Sequence, residues 1–363
     1  MSTTTSTETR TASPEEIEAF TMKFVADLAA VAHAATVVLG DKLGLYKALA
    51  TRGPSTPEEL AAATGYDGRY LREWLLAQAA SGYAEYDAST GRFSLDAAQT
   101  ACLADESAST FLAGGMAVVS SMHRDEDTVR NGFVTGEGVG WHEHHHDLFI
   151  GTERFFRPGY AANLTASWIP AVDGLEEALQ RGIRVADVGC GHGSSTILMA
   201  QAYPASEFVG FDYHPESIDA ARNRAAEAGV QDRVRFEVAS AADYLGNEFG
   251  LVCVFDALHD MGDPTAAAAH IRTSLAENGI FLLVEPNAHD RVEANFNLVG
   301  RIFYSASTFV CTPASRAQGG SDAACLGAQA GETRLRAILS TAGFSTVRRA
   351  TETPFNMVLD VRA

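Results

Sequence analysis

Two rhythms of hydrophobic positions divide this chain. From Ile17, in "IEAFTMKFVADLAAVAHAATVVLGDKLGLYKAL", apolar residues recur at every third or fourth position, the period of a helix buried along one side. Glycines predict breaks at Gly40 and again at Gly53–Pro54. Ser13 stands as N-cap before Pro14 and Glu16, and Thr56 before Pro57 and Glu59, so both helix starts carry a capping box. Gly65 ends the second of these helices, and "GRYLREWLLAQAASG" makes the next, with Leu71, Trp74, Leu75 and Gln78 on one side. "YAEYDASTGRFSL" alternates on both sides of a Ser-Thr-Gly turn, which predicts a hairpin. Helix, helix, helix, hairpin is the order of a winged helix.

Residues 101–180 predict a helical, irregular connection, with "FLAGGMAVVSSM" apolar enough for burial. From Ile183 the rhythm changes. "IRVADVG", "EFVGFD", "VRFEVA", "GLVCVFDAL" and "GIFLLVEP" read as strands, apolar throughout, and "SSTILMAQAYP", "PESIDAARNRAAEAG" and "PTAAAAHIRTSLAENG" read as helices between them. That alternation predicts a parallel sheet covered on both faces. "ETRLRAILSTAGF" is a last helix, and "STVRRATE" with "FNMVLDVR" predicts a hairpin closing one edge. The expected organisation is a polar, disordered tail over 1–12, a winged-helix unit suited to dimerisation over 13–100, a helical connection over 101–180 and an α/β domain over 181–363.

Composition narrows the partners. The 363 residues carry 27 Lys plus Arg against 46 Asp plus Glu, a formal charge of −19, and such a surface repels a phosphate backbone. Arg69 and Arg72 near the start of the third helix invite a DNA reading, yet Glu58, Glu59, Glu73, Glu85 and Asp87 surround them, so nucleic acid is not the expected partner. The cysteines Cys102, Cys190, Cys253, Cys311 and Cys325 are odd in number and contain no C-x-x-C pair. Reduced thiols in a cytoplasm are expected. No apolar run is read as approaching the ~18–20 residues that a bilayer span needs, so no membrane role is expected.

"VADVGCGHG" ends the first strand of the sheet, where ligands of parallel sheets bind. Glycines at 189, 191 and 193 let the backbone pass close to a ligand, and Asp187 ahead of them suits a cationic amino group. Asp212 ends the next strand, a position from which a carboxylate holds both hydroxyls of a ribose. Together these describe a nucleoside carrying an amino acid. With "GFD" and "FDALHDMGDP" following in order, the chain resembles class I methyltransferases dependent on S-adenosylmethionine, and with its winged-helix N-terminus and "GTERFFRPGYAANLTASWIPAVDGL" it resembles an actinobacterial group of that build, similar to small-molecule O-methyltransferases. The resemblance implies a Rossmann-like sheet with an antiparallel edge hairpin behind an all-helical, winged-helix domain. It implies that Asp187, Gly189, Cys190 and Gly191 line the methionine end of the cofactor, Asp212 the ribose and Tyr213 the adenine. Ser240 and Ala241 fall where an acidic residue often meets the adenine amino group, with Asp243 as a substitute, and Phe255 and Asp256 fall beside the sulfonium.

Methyl transfer to a hydroxyl needs a proton acceptor, and His259, four residues past a strand end, has a suitable unperturbed pKa of ~6.5. "LHDMGD" resembles the "HDW-D" of plant O-methyltransferases, in which that histidine is the base; the resemblance adds Glu285 and Glu332 as steering carboxylates, and Asp260 as either a steering group or a helix cap. The stretch "WHEHHHDLF" offers His142, His144, His145 and His146 with Glu143 and Asp147, but adjacent histidines do not converge on one ion, so a solvated loop and no metal are expected. Met116, Met122, Trp141, Phe155, Phe156, Tyr160, Trp168, Phe296, Phe303, Tyr304 and Phe309 are candidates for a pocket taking a flat aromatic or polyketide-like acceptor. The leading reading is methyl transfer by a homodimer. The alternatives are a cofactor-binding regulator that uses the winged helix on DNA or a protein partner, and a related fold catalysing another reaction.

Overall fold

The computed structural model describes residues 11–363, so the tail expected over 1–12 lies outside the described residues but for Thr11 and Ala12. The chain divides into two compact units, the first ending at Asp105 and the second spanning Glu106–Ala363.

In the first unit, α1 (Pro14–Lys42), α2 (Leu45–Arg52), α3 (Pro57–Thr64) and α4 (Gly68–Ala80) precede the antiparallel strands β1 (Glu85–Asp87) and β2 (Arg92–Ser94), and α5 (Ala97–Leu103) closes the unit. Both capping boxes form: Ser13 Oγ accepts from the Glu16 N–H at 3.2 Å while the Glu16 carboxylate accepts from the Ser13 N–H at 2.9 Å, and Thr56 and Glu59 do the same. Glu59 also receives both terminal nitrogens of Arg92, at 2.6 and 2.7 Å, which ties the hairpin to α3.

Gly40 does not break the first helix. α1 runs on to Lys42, and the turn comes at Gly44, whose φ of 67° lies in the left-handed region. Gly40 is instead a packing residue, because a Cβ there would lie 2.4 Å from Cζ2 of the buried Trp74. The indole is held in place by its N–H, which donates to the Thr36 carbonyl at 2.9 Å. Beside it, buried Gln78 accepts from the Tyr46 hydroxyl at 2.6 Å and donates to Thr36 Oγ1 at 3.0 Å.

The other end of α1 is bare. Phe20, Phe24 and Leu28 are 67, 60 and 56% exposed, and an 18-residue window of the helix reaches a mean hydropathy of 1.6. The reading that no apolar run is long enough to span a bilayer is therefore corrected. Alanines spaced among the valines and leucines conceal a segment that is apolar and long enough by composition and length.

The second unit begins with α6 (Ala113–Arg124), α7 (Glu126–Thr135), α8 (Asp147–Asn163) and α9 (Leu175–Arg181). Seven strands follow: β3 (Arg184–Val188), β4 (Glu207–Asp212), β5 (Val234–Val238), β6 (Phe249–Phe255), β7 (Leu275–Pro286), β8 (Thr346–Glu352) and β9 (Asn356–Arg362), in the order β5-β4-β3-β6-β7-β9-β8. All pairings are parallel except those of β9 with β7 and β8, so the edge hairpin forms as expected. The helices α10 (Ser194–Ala202), α11 (Pro215–Glu227) and α12 (Pro264–Ser274) link the parallel strands, and α13 (Leu298–Ala306), α14 (Thr312–Gly319) and α15 (Glu332–Thr341) lie between β7 and β8. α12 ends at Ser274 rather than reaching Gly279, because "LAENG" is taken into the start of β7. Alternation along β6 explains the two-sided cover: Leu251, Cys253 and Phe255 join one core with Met199 and Ile218, while Val252 and Val254 join another with Ile271 and Leu335. The result is a Rossmann-like sheet whose switch point lies between β3 and β6.

Gly40→Ala sets two effects against each other. Better helix propensity adds ~1 kcal/mol, but overpacking against a fixed indole costs ~1–3 kcal/mol. The expected outcome is a Tm lower by several degrees, and a raised Tm would show that Trp74 yields freely.

Candidate active site

β3 delivers Asp187 into the interior, 1% exposed, and the chain then turns through Gly189, Gly191 and Gly193 at φ 75°, 51° and 78°. Two of these glycines are required by space as well as by dihedral: a Cβ at Gly189 would lie 2.8 Å from the Ala257 Cβ, and one at Gly193 would lie 2.6 Å from Phe236 Cζ. Gly191 differs. A Cβ there would meet nothing within 4 Å, so its bare backbone borders open space. The loop is tied to the neighbouring strand, with the N–H groups of Gly189 and Cys190 donating to the Phe211 carbonyl at 2.8 and 3.1 Å. The Gly191 N–H donates to Asp212 Oδ2 at 2.9 Å, and the His214 N–H donates to Oδ1 at 2.9 Å. Asp187 and Asp212 thus stand on adjacent strands on either side of one loop.

Asp187 Oδ2 accepts from the hydroxyls of Ser195 and Thr196, each at 2.6 Å, at the start of α10. Its other oxygen is buried and has no hydrogen-bond partner among the described residues. Burial pushes this carboxyl up to about 6, against the pull of the two hydroxyls. Asp212 is also raised by burial. A buried, half-unpartnered carboxylate beside an open glycine backbone suits the ammonium end of an amino-acid ligand.

At the end of β6, Asp256 takes φ 50°, a strained value for a residue with a side chain. Its carboxylate accepts from the Tyr160 hydroxyl at 3.0 Å and from Asn356 Nδ2 at 2.7 Å, and burial and the charge of Glu285 push it up to about 7. Phe255, ahead of it, packs against Tyr160 and Trp168. Three residues on, His259 is 4% exposed in the short helical turn 258–260. Glu285, from β7, accepts at Oε1 from the Leu258 N–H at 2.9 Å and at Oε2 from His259 Nδ1 at 2.6 Å. A carboxylate only accepts, so Nδ1 carries a proton and Nε2 faces the site. Asp260 Oδ1 lies 3.2 Å from Nε2 but forms no hydrogen bond of good angle. Burial opposes charge on the imidazole, yet Glu285 and Asp260 outweigh it and hold His259 well above the usual histidine range. The Cys311 thiol lies against both residues and is pushed up to about 11, mainly by burial.

Of the residues assigned to this site, Glu332 goes elsewhere. Its carboxylate is engaged by Arg336 and by Arg349 at 2.7 Å, so it is an ion-pair residue at the start of α15. Ser240 is exposed, its Oγ accepting from the Ala242 N–H at 3.1 Å; Ala241 is half-buried, and Asp243 is exposed. Tyr213 is 38% exposed after Asp212. Trp168 is a core residue at 1% exposure, whereas Phe296 is 74% exposed.

The histidine stretch is not a solvated loop. Residues 141–143 form a helical turn that leads into α8, and His144 and Asp147 are buried. His145, His146 and Asp147 draw together, with His146 largely exposed. His144 turns away from them to Asp125, as described below. Tyr160, a candidate for the acceptor pocket, instead bonds Asp256 beside the site, while the spacing of the motifs gave no sign of Asn356 and Cys311, which reach it from 50 to 100 positions away, or of Glu153 of α8, which accepts from Ser194 Oγ at 2.8 Å.

Residues 179–343 match a family model described as a methyltransferase domain, and residues 30–105 match one described as an Rv2258c-like winged HTH domain. The chain is 37% identical over 87 residues to 27-O-demethylrifamycin SV methyltransferase of Amycolatopsis mediterranei, covering 23% of this chain and 32% of that protein. The matched segments span only 24% and 32% of the first curated relatives. Among solved structures, the mitomycin 7-O-methyltransferase superposes with TM-score 0.66 at 18% identity, covering 96% of this chain and 99% of that one. Human N-acetylserotonin methyltransferase in complex with S-adenosylmethionine superposes with TM-score 0.64 at 15% identity, covering 97% and 99%. At these identities the likeness to solved structures is one of fold.

A carboxyl raised by folding costs stability above its folded pKa and nothing below its unfolded value of ~3.9. The cost of Asp187 therefore grows as pH rises toward about 6 and is complete above it. Asp187→Asn is expected to raise the Tm of the ligand-free chain at pH 8 and to raise it by much less at pH 4.5, where only part of the cost has developed. A Tm lowered by several degrees at pH 8 would contradict this.

Proposed function

We infer that this chain joins a methyltransferase domain to an N-terminal winged helix-turn-helix domain, as the models matching residues 179–343 and 30–105 are described. We propose that it is an S-adenosylmethionine-dependent methyltransferase that methylates a hydroxyl of a small-molecule acceptor, with His259 as the proton-accepting base. The carrying observation is the buried His259–Glu285 pair, 2.6 Å apart, at the end of the sheet that also holds Asp187 and Asp212. Asp187 and the backbone at Gly189, Cys190 and Gly191 would hold the amino-acid end of the cofactor, and Asp212 with Tyr213 the nucleoside end. The cofactor, when bound, supplies a methyl group already made electrophilic by its sulfonium.

The chain's own residues then have three tasks. Glu285 orients the imidazole and fixes the proton on Nδ1, so that Nε2 is the atom that takes the acceptor's proton. The orphaned oxygen of Asp187 receives the ammonium group, and burial keeps water from competing for it. Asp260 lies where an acceptor hydroxyl would approach Nε2, so it must give way or share its proton. The Tyr160–Asp256–Asn356 bonds brace the strand end beside these groups.

His259 is held protonated in the ligand-free site, so the base form grows only as pH rises. The acceptor turnover is expected to climb from neutral into alkaline pH, and Glu285→Gln is expected to move that limb to lower pH by removing a charge that sustains the imidazolium. His259→Ala is expected to lower kcat by ~10²–10⁴ with unchanged cofactor affinity. Steady-state rates on an acceptor found by mass-shift screening check both; full turnover by the alanine variant would remove the base.

The winged-helix unit reads as a dimer scaffold rather than a DNA reader, since Arg69 pairs with Glu73 and Arg92 with Glu59. The apolar face of α1 is covered in this reading by a second copy of the chain, because its far end is locked into the unit through Val37, Val38 and the Thr36–Trp74 bond. Sedimentation is expected to find a dimer, and Phe20→Asp with Leu28→Asp a monomer. A wild-type monomer that floats with liposomes would assign α1 to a membrane instead.

A further inference from the structure

A second histidine–carboxylate pair lies in the same unit, and the reaction as described leaves it unused. His144 Nδ1 is 3.0 Å from Asp125 Oδ2, and the two side chains are 1% and 8% exposed. The partner is a carboxylate, so Nδ1 is again the protonated nitrogen. His144 Nε2 is buried with no hydrogen-bond partner among the described residues. Asp125 is itself well held, taking the His145 N–H at 3.0 Å on its other oxygen. This is the arrangement of His259 and Glu285 over again.

Packing brings the two pairs to one helix. The Val139 N–H donates to the Pro313 carbonyl at 3.1 Å, and Gly138 lies so close to Ala317 that a Cβ would fall 1.9 Å from its nitrogen. From the other side, Gln318 Nε2 donates to the Asp260 carbonyl at 3.0 Å and Ser315 Oγ to the Met261 carbonyl at 2.9 Å. α14 is thus clasped between residues 138–139, just ahead of His144, and residues 260–262, just after His259. His144 lies within electrostatic reach of Asp260. Asp260 Oδ1, buried and without a hydrogen bond, belongs to the same region. The unsatisfied atoms there, His144 Nε2 and Asp260 Oδ1, are all acceptors, so they call for a ligand that brings donors.

We propose that His144, oriented by Asp125, is a specificity-determining residue of the acceptor site, and that the acceptor carries a second hydrogen-bond donor beside the hydroxyl that is methylated, as a vicinal diol, a catechol or a hydroxy-amine does. This rests on the reading of His259 as the base. One donor hydroxyl meets His259 and the neighbouring donor meets His144 Nε2. A site that hydrogen-bonds two donors rejects an analogue lacking one, because a buried acceptor is then left bare. Asp125 acts through His144 as a positioning residue.

The test uses the full chain saturated with S-adenosylhomocysteine and NMR titration of its histidine ring signals with catechol and with phenol. Catechol is expected to bind at least tenfold more tightly than phenol, beyond the twofold statistical advantage of two hydroxyls, and to shift the His144 ring. His144→Leu is expected to bring the ratio down to about two. Asp125→Asn offers an N–H to Nδ1, which moves the proton to Nε2 and turns it into a donor, so the catechol preference should fall while binding of S-adenosylhomocysteine, the check on folding, stays unchanged. The proposal is overturned if catechol and phenol bind alike, if neither shifts His144, or if the preference survives in both variants. It is equally overturned if added zinc alone binds one per chain and is lost in Cys311→Ser, since His259, Asp260 and Cys311 would then hold a metal where the acceptor is placed. Failure of the base reading shows separately, as full turnover by His259→Ala.

Discussion

Negative charge buried in excess of its counter-cations, with one imidazole and no lysine or arginine among the partners of five carboxyls, governs this molecule. Asp187, Asp212, Asp256, Asp260 and Glu285 all lie at one end of the sheet, and their hydrogen-bond and ion-pair partners among the described residues are hydroxyls, amides, the Cys311 thiol and one imidazole, with no lysine or arginine. Carboxylates elsewhere in the chain do have guanidinium partners, Glu153 with Arg157 and Arg224, Glu332 with Arg336 and Arg349. Burying an unpaired carboxylate costs several kcal/mol unless its pKa rises or a ligand supplies the charge. Asp187 and Asp256 respond in the first way, rising to about 6 and about 7. A cationic cofactor supplies the second.

The same tension explains why the strained and bare backbone collects here. The left-handed glycines after β3 and the positive φ of Asp256 after β6 both occur where parallel strands end and the chain must turn sharply. Helix α8 braces both turns, Glu153 through Ser194 and Tyr160 through Asp256. Stability is thereby spent at the sheet end that binds, while the two apolar cores on its faces hold the fold.

What was legible in the sequence was local. Strand ends, glycine spacing and capping boxes depend on residues within a few positions, so Asp187, Asp212, the loop at 189–193 and both boxed helices could be placed before the fold was known. His259 was also visible, since it follows a readable strand, whereas Glu285, inside the strand 275–286, was named only through the resemblance to plant O-methyltransferases. Gly40 was misread because propensity speaks for an isolated helix, whereas the indole of Trp74, 34 positions away, decides what that glycine does. Glu332 was misread for a like reason: two arginines, one on the next turn of its own helix and one on β8, claim its carboxylate. His144 looked like one of several loop histidines until Asp125, 19 residues earlier, turned it inward.

The account stands or falls on whether Asp187 releases its proton to solvent when a cationic ligand binds. Calorimetric titration of the chain with S-adenosylmethionine near pH 6, repeated in buffers of different ionisation enthalpy, measures this directly. The account predicts binding at one per chain with release of a substantial fraction of a proton, a release that vanishes at pH 8 and in Asp187→Asn. Binding with no proton release near pH 6, or no binding at all, would contradict it.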